Sequence, residues 1–390
     1  MGNEKFRKVL QSERLILRPF EMSDAVDIYR AWGTDEDVAR YVTWNTHTCI
    51  EDSYAYVSHV LDNYERKEYM EWLVVLKETA KPIGAICLFK SKEPHNYGKW
   101  GIGYNYAKMY WHKGFGSEAL DTVLRFVFME TDIPLVFAEH STKNPNSGRV
   151  MKHCGMRLKR KTEDAMPAQF GECALYEIEK LEWLYREVQR TMPEILLDSE
   201  IRIRGMQEKN FYAYAEMFQD KEVIRYMKET VKTEEKEIEQ KLSTMLMDNI
   251  KGGYGLFEMY RKETDSESEE FLGTISYRVH KDEETVAHIS YCMPRKHWNK
   301  GYMTSAVKAV IDYVFTQVPQ VYYIESSHAH PNKASGRVME KAGMRCKGIQ
   351  RNNPVKCVGG VFDRVRYCMN RVEWDAKQKE QEEQEKEVHK

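Results

Sequence analysis

The sequence predicts a mixed α/β fold, of the α+β kind, that occurs twice along the chain. Segments with apolar residues at helical spacing alternate with short strand-like runs. Several motifs also recur at an offset of about half of the 390 residues. A chain of this length is too long for one ordinary core, whereas each half has the usual size of a domain. We therefore expect domains at 1–188 and 189–376, followed by a charged tail at 377–390.

The duplication is clearest in two motifs that keep their order in both halves. The segment Trp111–Ala119 corresponds to Trp298–Ala306, and Ser147–Met151 corresponds to Ser335–Met339. Shorter matches relate 37–41 to 222–226 and 102–104 to 289–291. Matches in the same order indicate a repeated domain rather than chance similarity.

The elements of the first half follow from periodicity and from stop signals. Pro19 ends the first strand, and Ser23-Asp24 provide a helix N-cap. The predicted order is a strand at 14–18, helices at 23–32, 35–41 and 51–64, strands at 72–76, 82–89 and 99–106, a helix at 119–128, a strand at 135–138, a helix at 145–154, and strands at 156–162 and 174–181.

The second half repeats this order from Ile201 to Trp374. Its acidic insertion at 262–270 is predicted to be an exposed loop. The joint between the halves is expected at 188–199, where Pro193 interrupts a charged stretch. The tail is nearly all charged or amide residues, which predicts disorder or a frayed helix.

Charge and cysteine content exclude several classes of function. The net charge of −2 gives no global attraction to nucleic acid or to an anionic membrane. No stretch resembles a signal peptide or a membrane span, so we expect a cytoplasmic protein. The eight cysteines lack metal-ligand spacing, and we expect them to be reduced, with no metal bound.

The turn before the apolar helix of each half is the strongest candidate for ligand binding. Gly114 and Gly116 allow a close backbone approach, and the helix that follows begins with unpaired amides. These features suit a phosphate group. A glycine pair is also compatible with a plain tight turn, and only the recurrence at Gly301 favours binding.

Four ordered segments of the first half resemble one known family: RLILRPFEMSDA, DEDVARYV, IGYNYAKMYWHKGFGSEAL and NPNSGRVMKHCGM. They resemble the GCN5-related N-acetyltransferase (GNAT) superfamily and, within it, the RimJ/RimL-like branch. The second half resembles the same branch through DKEVIRYM, ISYCMPRKHWNKGYMTSAV and NKASGRVMEKAGM. The resemblance implies a tandem GNAT fold, in which each sheet is mostly antiparallel and flanked by helices. Its fourth and fifth strands splay apart, and acetyl-coenzyme A (acetyl-CoA) lies in the opening.

The resemblance also implies cofactor-binding residues in both halves. Three kinds of contact are expected, namely backbone pairing with the pantetheine arm, amides on the pyrophosphate and polar groups near the thioester. In the first half these are Tyr104, Asn105 and Tyr106, then Lys113, Gly114, Phe115, Gly116 and Ser117, then Asn144 and Ser147. In the second half they are Tyr291, Cys292 and Met293, then Lys300, Gly301, Tyr302, Met303 and Thr304, then Asn332 and Ser335.

The general base is uncertain from the sequence. Many relatives place a Glu directly before the Ile-Gly-Tyr motif, where this chain has Gly101 and His288. His288 is a candidate base because imidazole titrates near neutrality, although a strand histidine is often structural. His140 and His328 form an alternative pair, or are buried structural histidines. Glu139 is a further candidate base for the first half, or else an exposed loop carboxylate.

The proton donor to the departing thiolate is also unusual. Many members use a Tyr where this chain has Met151 and Met339. Ser147 and Ser335 can replace it through their hydroxyl groups, or they simply cap a helix. Met303 stands where the first half has Gly116, which is tolerable only if that position does not need positive φ.

These observations predict an acetyl-CoA-dependent N-acetyltransferase that acts on a primary amine. The acceptor would be a protein N-terminus or a small molecule, since one fold serves both. We expect the two domains to form an intramolecular pseudo-dimer, with a further homodimer possible. The alternative is an acyl-CoA-binding regulatory or scaffold protein in which one or both sites are inactive, as the missing Glu and Tyr would allow.

Overall fold

The computed structural model describes residues 8–66, 68–163, 170–228, 234–262 and 269–388. The chain divides into two compact units, Met1–Trp183 (unit 1) and Leu184–Lys390 (unit 2). The predicted boundary at 188 lies inside a helix, Lys180–Thr191, that the sequence analysis missed. Of the predicted insertion at 262–270, residues 263–268 lie outside the described part of the chain.

Unit 1 alternates strands and helices as predicted. Its strands are β1 (Leu10–Gln11), β2 (Leu15–Arg18), β3 (Tyr69–Leu76), β4 (Lys81–Lys90), β5 (Trp100–Tyr106), β6 (Leu135–Ser141), β7 (Arg157–Thr162) and β8 (Cys173–Glu179). Its helices are α1 (Ala25–Ile28), α2 (Glu36–Ala39), α3 (Ile50–Asn63), α4 (Phe115–Glu130) and α5 (Pro145–His153), and α6 (Lys180–Thr191) crosses into unit 2.

Unit 2 repeats this order. Its strands are β9 (Ile195–Leu196), β10 (Ile201–Gly205), β11 (Tyr254–Lys262), β12 (Glu269–Val279), β13 (Val286–Cys292), β14 (Tyr323–Ala329), β15 (Arg345–Cys357) and β16 (Gly360–Asn370). Its helices are α7 (Phe211–Gln219), α8 (Lys221–Ile224), α9 (Glu235–Lys251), α10 (Tyr302–Gln317), α11 (Lys333–Lys341) and α12 (Arg371–Val388).

Within the described residues, each unit has one eight-stranded sheet. The order in unit 1 is β1-β2-β3-β4-β5-β6-β8-β7, and unit 2 has the matching order β9-β10-β11-β12-β13-β14-β16-β15. Neighbouring strands are antiparallel except β5 with β6 and β13 with β14, which are parallel. The predicted mixed, mostly antiparallel and duplicated fold is confirmed.

The central helix of each unit anchors the sheet to the glycine turn. In α4 the side chains of Ala119, Val123 and Val127 recur at helical spacing and are fully buried. Ala306, Val310 and Val314 do the same in α10. Burial of these stripes fixes where each helix begins, and therefore where its free amides lie.

Several elements differ from the prediction. The helix expected at 23–32 is the short α1, which continues as a π-helical turn at Tyr29–Gly33. The strand expected to reach Leu181 ends at Glu179, because Glu182 accepts a hydrogen bond from the Glu179 amide and starts α6. The tail, predicted to be disordered or a frayed helix, is helical through Val388, consistent with its many Glu, Gln and Lys residues, which are good helix formers. No helix among the described residues is both long and apolar enough to span a bilayer.

Candidate functional site

The parallel strand pair of each sheet opens into a wedge. In unit 1 the registered pairs of β5 and β6 are Trp100–Val136 and Gly101–Phe137. Beyond Gly101, β5 stays paired with β4 as far as Tyr106. The backbone groups of β5 that point away from β4 are therefore available to a ligand inside the wedge.

Unit 2 contains the same wedge between β13 and β14. Its registered pairs extend one step further, to His288–Glu325. The hydroxyl of Ser326 then donates to the carbonyl of Ile289 at 2.9 Å, at the point where the strands separate.

The glycine turn of unit 1 has the geometry of an anion site. Gly114 is the N-cap of α4 with φ of 81°, and His112 before it also has positive φ, 59°. The first amides of α4 have no partner within the helix. The turn follows β5 directly, so these amides and the positive end of the helix dipole lie at the wedge.

The turn of unit 2 has the same backbone. Gly301 has φ of 86° and Asn299 has φ of 61°. Met303 is inside α10 and buried in the core of unit 2, so the positive φ falls on Gly301 and not on Met303. A Cβ added to Gly116 would lie 3.3 Å from the ring of Tyr106, whereas unit 2 has the flexible Met293 at that position. The Gly-to-Met difference is therefore a compensated core substitution.

The sequence analysis missed one basic residue at the turn of unit 1. Arg14, at the start of β2, donates to the carbonyl of Lys113 at 3.2 Å and lies 4.4 Å from the ring centroid of Phe115. Its guanidinium also pairs with Glu118 at 2.7 Å. Arg14 comes from a strand about a hundred residues earlier, and no local motif links the two.

A tyrosine–serine pair occupies the wedge of each unit. The Tyr104 hydroxyl lies 3.0 Å from the Ser147 hydroxyl, and the Tyr291 hydroxyl lies 2.8 Å from the Ser335 hydroxyl. Burial raises the pKa of Tyr104 and raises that of Tyr291 to about 12. Both phenols therefore keep their protons at neutral pH and can donate them through the adjacent serine.

The candidate loop residues Asn144 and Asn332 precede the helices that carry these serines, and the side chain of Asn332 caps its helix whereas that of Asn144 does not. Asn144 and Asn332 are the N-caps of the two helices. The side-chain oxygen of Asn332 accepts the Ser335 amide at 3.3 Å, which fixes the first turn of α11. In both units the asparagine predicted to lie near the thioester is therefore next to the tyrosine–serine pair.

The position where relatives carry a base is apolar in unit 1. A Cβ added to Gly101 would lie 2.7 Å from the rings of both Phe89 and Phe137. These two rings, one from β4 and one from β6, contact each other edge to face at 6.0 Å. They fill the space that a carboxylate at position 101 would need.

In unit 2 the equivalent position is polar. His288 lies 3.3 Å from the hydroxyl of Ser290 and is paired in register with Glu325 on β14. Burial lowers the pKa of His288 to about 4, so its imidazole is neutral at neutral pH and can accept a proton, as a weaker base than a solvated histidine. The geometry therefore keeps His288 as the candidate base of unit 2.

Glu139 is partly buried rather than exposed in a loop. Its carboxylate accepts a hydrogen bond from the Asn96 amide at 2.7 Å and lies 3.3 Å from Nε2 of His95. Burial raises the pKa of Glu139, while His95 and Asn96 act in the opposite direction. A carboxylate held this way is better suited to accept a proton than a solvated one.

The geometry of His140 and His328 is structural. Nδ1 of His140 donates to the Ser141 carbonyl at 2.8 Å, and its ring stacks on Tyr176 at 5.6 Å. A Cβ added to Gly148 of α5 would lie 2.5 Å from Nε2 of His140, so the ring lies directly under that helix. His328 makes the same contacts with Ala329, Tyr367 and Gly336.

The remaining predicted residues line the strands of the wedge. Tyr106 and Met293 accept a hydrogen bond at their carbonyls from the indoles of Trp111 and Trp298, at 2.7 and 2.8 Å. These bonds tie each turn to the end of its strand. Cys292 is buried on β13, and burial raises the pKa of its thiol to about 12, which leaves it unreactive. Within the described part of the chain, no three His, Cys, Asp or Glu side chains are grouped to hold a metal ion.

Comparison with known proteins places this geometry in a family. The model of the acetyltransferase (GNAT) domain matches twice, over residues 14–157 and 200–345. The chain belongs to the GNAT family, in two tandem copies. The predicted superfamily is thereby confirmed for both halves.

Curated relatives of this GNAT chain come from Bacillus. The uncharacterized N-acetyltransferase YnaD of Bacillus subtilis is 32% identical over 149 residues, which cover 38% of this chain and 82% of YnaD. The uncharacterized N-acetyltransferase p20 of Bacillus licheniformis is 25% identical over 181 residues, or 46% of this chain and 98% of p20. Each relative has about the length of one unit.

Solved structures of similar proteins include other acetyltransferases. A GNAT acetyltransferase from Bacillus anthracis is 26% identical and covers 44% of this chain and 99% of its own, with a TM-score of 0.39. RimL, a ribosomal L7/L12 alpha-N-protein acetyltransferase solved with coenzyme A, is 15% identical and covers 46% of this chain and 98% of its own, with a TM-score of 0.40.

Proposed function

We propose that this GNAT protein transfers an acetyl group from acetyl-CoA to a primary amine, with one candidate site in each unit. The observation that carries the proposal is the wedge between β5 and β6, and between β13 and β14, with a left-handed glycine turn at one end and a tyrosine–serine pair inside. Protein N-termini and small amines are both compatible acceptors.

The residues around the wedge fit acetyl-CoA. The unpaired backbone groups of β5 and β13 suit the amides of the pantetheine arm. The first amides of α4 and α10 suit its pyrophosphate, and a Cβ added to Gly301 would meet nothing within 4 Å, so space lies open over that turn. Acetyl-CoA would supply an acetyl group activated as a thioester.

Proton transfer is assigned to different residues in the two units. In unit 2, the neutral imidazole of His288 accepts the proton of the ammonium group, directly or through water. In unit 1, Glu139 takes this role, because Phe89 and Phe137 occupy the usual position. The amine then forms the new C–N bond as the C–S bond breaks, and the new amide nitrogen releases its second proton to water. Ser147 or Ser335 passes a proton to the thiolate, and the tyrosine–serine pair regains this proton from water. Tyr104 or Tyr291 restores the proton to the serine.

A second candidate function is favoured by the apolar filling around Gly101. If Glu139 does not act as a base, unit 1 would bind acyl-CoA without transferring the acetyl group and would serve as a regulatory or structural half. The two functions differ in whether unit 1 transfers the acetyl group or only binds acyl-CoA.

The test is release of coenzyme A thiol with a panel of amines that includes short peptides and alkylamines. In a Gly114→Trp background that blocks unit 1, we expect Ser335→Ala and Tyr291→Phe each to lower kcat by about tenfold or more while the affinity for acetyl-CoA stays close to that of the background protein. Ser305→Ala, in the same unit but outside the pair, is the matched control. No thiol release with any amine would contradict the transferase proposal and leave the binding function.

A further inference from the structure

Unit 1 contains a buried carboxylate that the reaction does not use. Glu71 on β3 is 7% exposed. Its carboxylate accepts a hydrogen bond from the Tyr56 hydroxyl at 2.8 Å and one from the Tyr69 hydroxyl. Among the described residues no basic side chain lies within ion-pair distance of Glu71. Burial raises the pKa of its carboxyl, while the two tyrosine hydroxyls and the charge of His59 act in the opposite direction. A buried carboxylate is costly without a positive partner, so this group needs an explanation.

The strand register places Glu71 on the same face of the sheet as the wedge position Gly103. Glu71 is paired with Cys87 on β4, and Cys87 is paired with Gly103 on β5. Directly paired residues of antiparallel strands point to one face. A Cβ added to Gly103 would lie 3.2 Å from the Cys87 sulfur, so the Cys87 side chain does lie on the face of Gly103.

Glu139 lies on that face too, across the wedge. Phe137 contacts the Gly101 side of the sheet, and Glu139 follows it by two residues on β6. The two carboxylates therefore flank a stretch where Gly101 and Gly103 have no side chains. Ser147 and α5 are on the opposite face of the sheet. The Tyr104 side chain reaches Ser147, and successive side chains of a strand point to opposite faces, so Tyr104 and Gly103 face opposite ways.

A second observation points to a ligand with hydrogen-bond donors. Asn96 is 1% exposed and donates to Glu139 through its amide nitrogen, but its side-chain oxygen has no hydrogen-bond partner among the described residues. A buried acceptor beside a carboxylate lacks a donor. An ammonium group, with three N–H donors and a positive charge, would satisfy both.

The surroundings of Glu71 also suit a cation. The carboxylate has about four acceptor positions, and the two tyrosine hydroxyls use only two of them. Tyr56 and Tyr69 are each partly exposed, so the pair lies close to the surface of unit 1. Phe20 and His47 contact the Tyr56 ring, each at 6.0 Å, and extend the aromatic wall. Aromatic faces attract ammonium groups.

We propose that unit 1 takes an acceptor with two amino groups, a diamine or polyamine. Glu71 with Tyr56 and Tyr69 binds the distal ammonium, and Glu139 with Asn96 receives the amine that is acetylated. The proposal rests on the proposed acetyltransferase function and narrows its substrate class. Two strand steps separate Glu71 from Gly103, or about 10 Å, which an extended diamine can bridge.

Unit 2 is an internal comparison. In unit 2 the residue equivalent to Glu71 is Leu256, which is paired with Ser276, and Ser276 is paired with Ser290 at the position of Gly103. Ser327 stands at the position of Glu139. Unit 2 therefore lacks both carboxylates at these positions and should not distinguish a diamine from a monoamine. The two sites of one chain would serve different acceptors.

The experiment compares 1,7-diaminoheptane, whose extended chain matches the distance from Glu71 to Gly103, with heptylamine, which has the same carbon chain and one charge fewer. Thiol release by the full chain is measured in a Gly301→Trp background that blocks the turn of unit 2. We expect kcat/KM for the diamine to exceed that for heptylamine by about tenfold or more, and Glu71→Gln to abolish most of this preference. The matched control is Glu68→Gln, which removes an exposed carboxylate near the start of the same strand.

Equal use of both amines by the Gly301→Trp protein, or an unchanged preference in Glu71→Gln, would overturn the diamine proposal alone. No thiol release with any amine would instead defeat the transferase function. If Glu71→Gln does not fold, titration of the unsubstituted chain with each amine in the presence of coenzyme A replaces it. Equal affinity for the two amines would then also overturn the proposal.

Discussion

Gly114 and Gly301 carry the left-handed backbone that each turn requires. At these φ values a side chain with a Cβ costs about 1–3 kcal/mol, and the helix amides would shift from their positions. The sequence located both glycines because the motif occurs twice. It could not decide whether Gly116 also needed positive φ, because that depends on where the helix begins.

We predict that Gly114→Val weakens binding of acetyl-CoA by unit 1 by about tenfold or more, because the first amides of α4 no longer converge on the pyrophosphate. Isothermal titration in a Gly301→Trp background measures this affinity. Gly98→Val is the control, since Gly98 has a similar φ of 77° away from the turn. Equal weakening by both substitutions would show that the loss comes from general strain.

His288 illustrates how burial decides a role that residue type leaves open. Its pKa is lowered to about 4, mainly by burial, with His280 acting in the same direction and Glu325 opposing. The basic form is therefore present at all pH values above about 5. A histidine of ordinary pKa would instead lose its basic form as the pH falls through 6.5.

For unit 2 we predict a pH–rate profile without an inflection near pH 6.5, and a decrease of about a hundredfold in kcat/KM for His288→Gln. The profile is measured by thiol release in a Gly114→Trp background that blocks unit 1. Full activity of His288→Gln would remove His288 from the mechanism. An inflection near pH 6.5 that disappears in His288→Gln would contradict the neutral state described above.

At the scale of elements, strands β10 and β11 are joined by a buried ion pair. Glu258 is fully buried and lies 2.9 Å from Nε of Arg204, whose guanidinium also pairs with Glu269 at 2.8 Å. Arg204 also stacks over Tyr260 at 3.6 Å. The Glu258 carboxylate accepts additional bonds from Asn210 and from the Gln207 amide.

We predict that Arg204→Ala destabilises the protein by about 3–5 kcal/mol, because it leaves Glu258 buried without its positive partner. Urea unfolding followed by circular dichroism measures this. Arg202→Ala is the matched control: Arg202 lies on the same strand, but its partner Glu194 is exposed, and we expect little change. Similar losses for both variants would contradict a special role for the buried pair.

Most elements were predictable because their signals are local. The apolar residues at helical spacing in α4 and the alternating apolar residues in β2 correctly predicted a helix and a strand. The helix α6 was missed because its strongly polar sequence looked like a linker, although Trp183, Leu184 and Val188 bury one face. For the tail at 377–388 the sequence left disorder and a frayed helix open, and the structure has a helix there, since polarity alone does not exclude one.

The site was predictable only where one segment supplies it. The turn and the two serines are parts of continuous motifs. The tyrosine–serine contact, the Phe89–Phe137 filling and the Arg14 contact each join residues from different strands or helices. Their partners are set by sheet register, which the sequence does not specify well enough.

At the scale of the whole molecule, the duplication is the central feature. Both units have the family's fold, the left-handed glycine turn and the tyrosine–serine pair. They differ on the face of the sheet that we propose for the acceptor, where unit 1 has Glu71 and Glu139 and unit 2 has His288. We therefore expect two cofactor sites of similar construction that serve different acceptors.

The most direct measurement is calorimetric titration of the full chain with acetyl-CoA. We predict a stoichiometry of two per chain, reduced to one by Gly114→Trp or by Gly301→Trp. A stoichiometry of one in the unsubstituted chain, lost completely with only one of these substitutions, would contradict two competent units and identify the active one. No binding at all would contradict the proposed function of both.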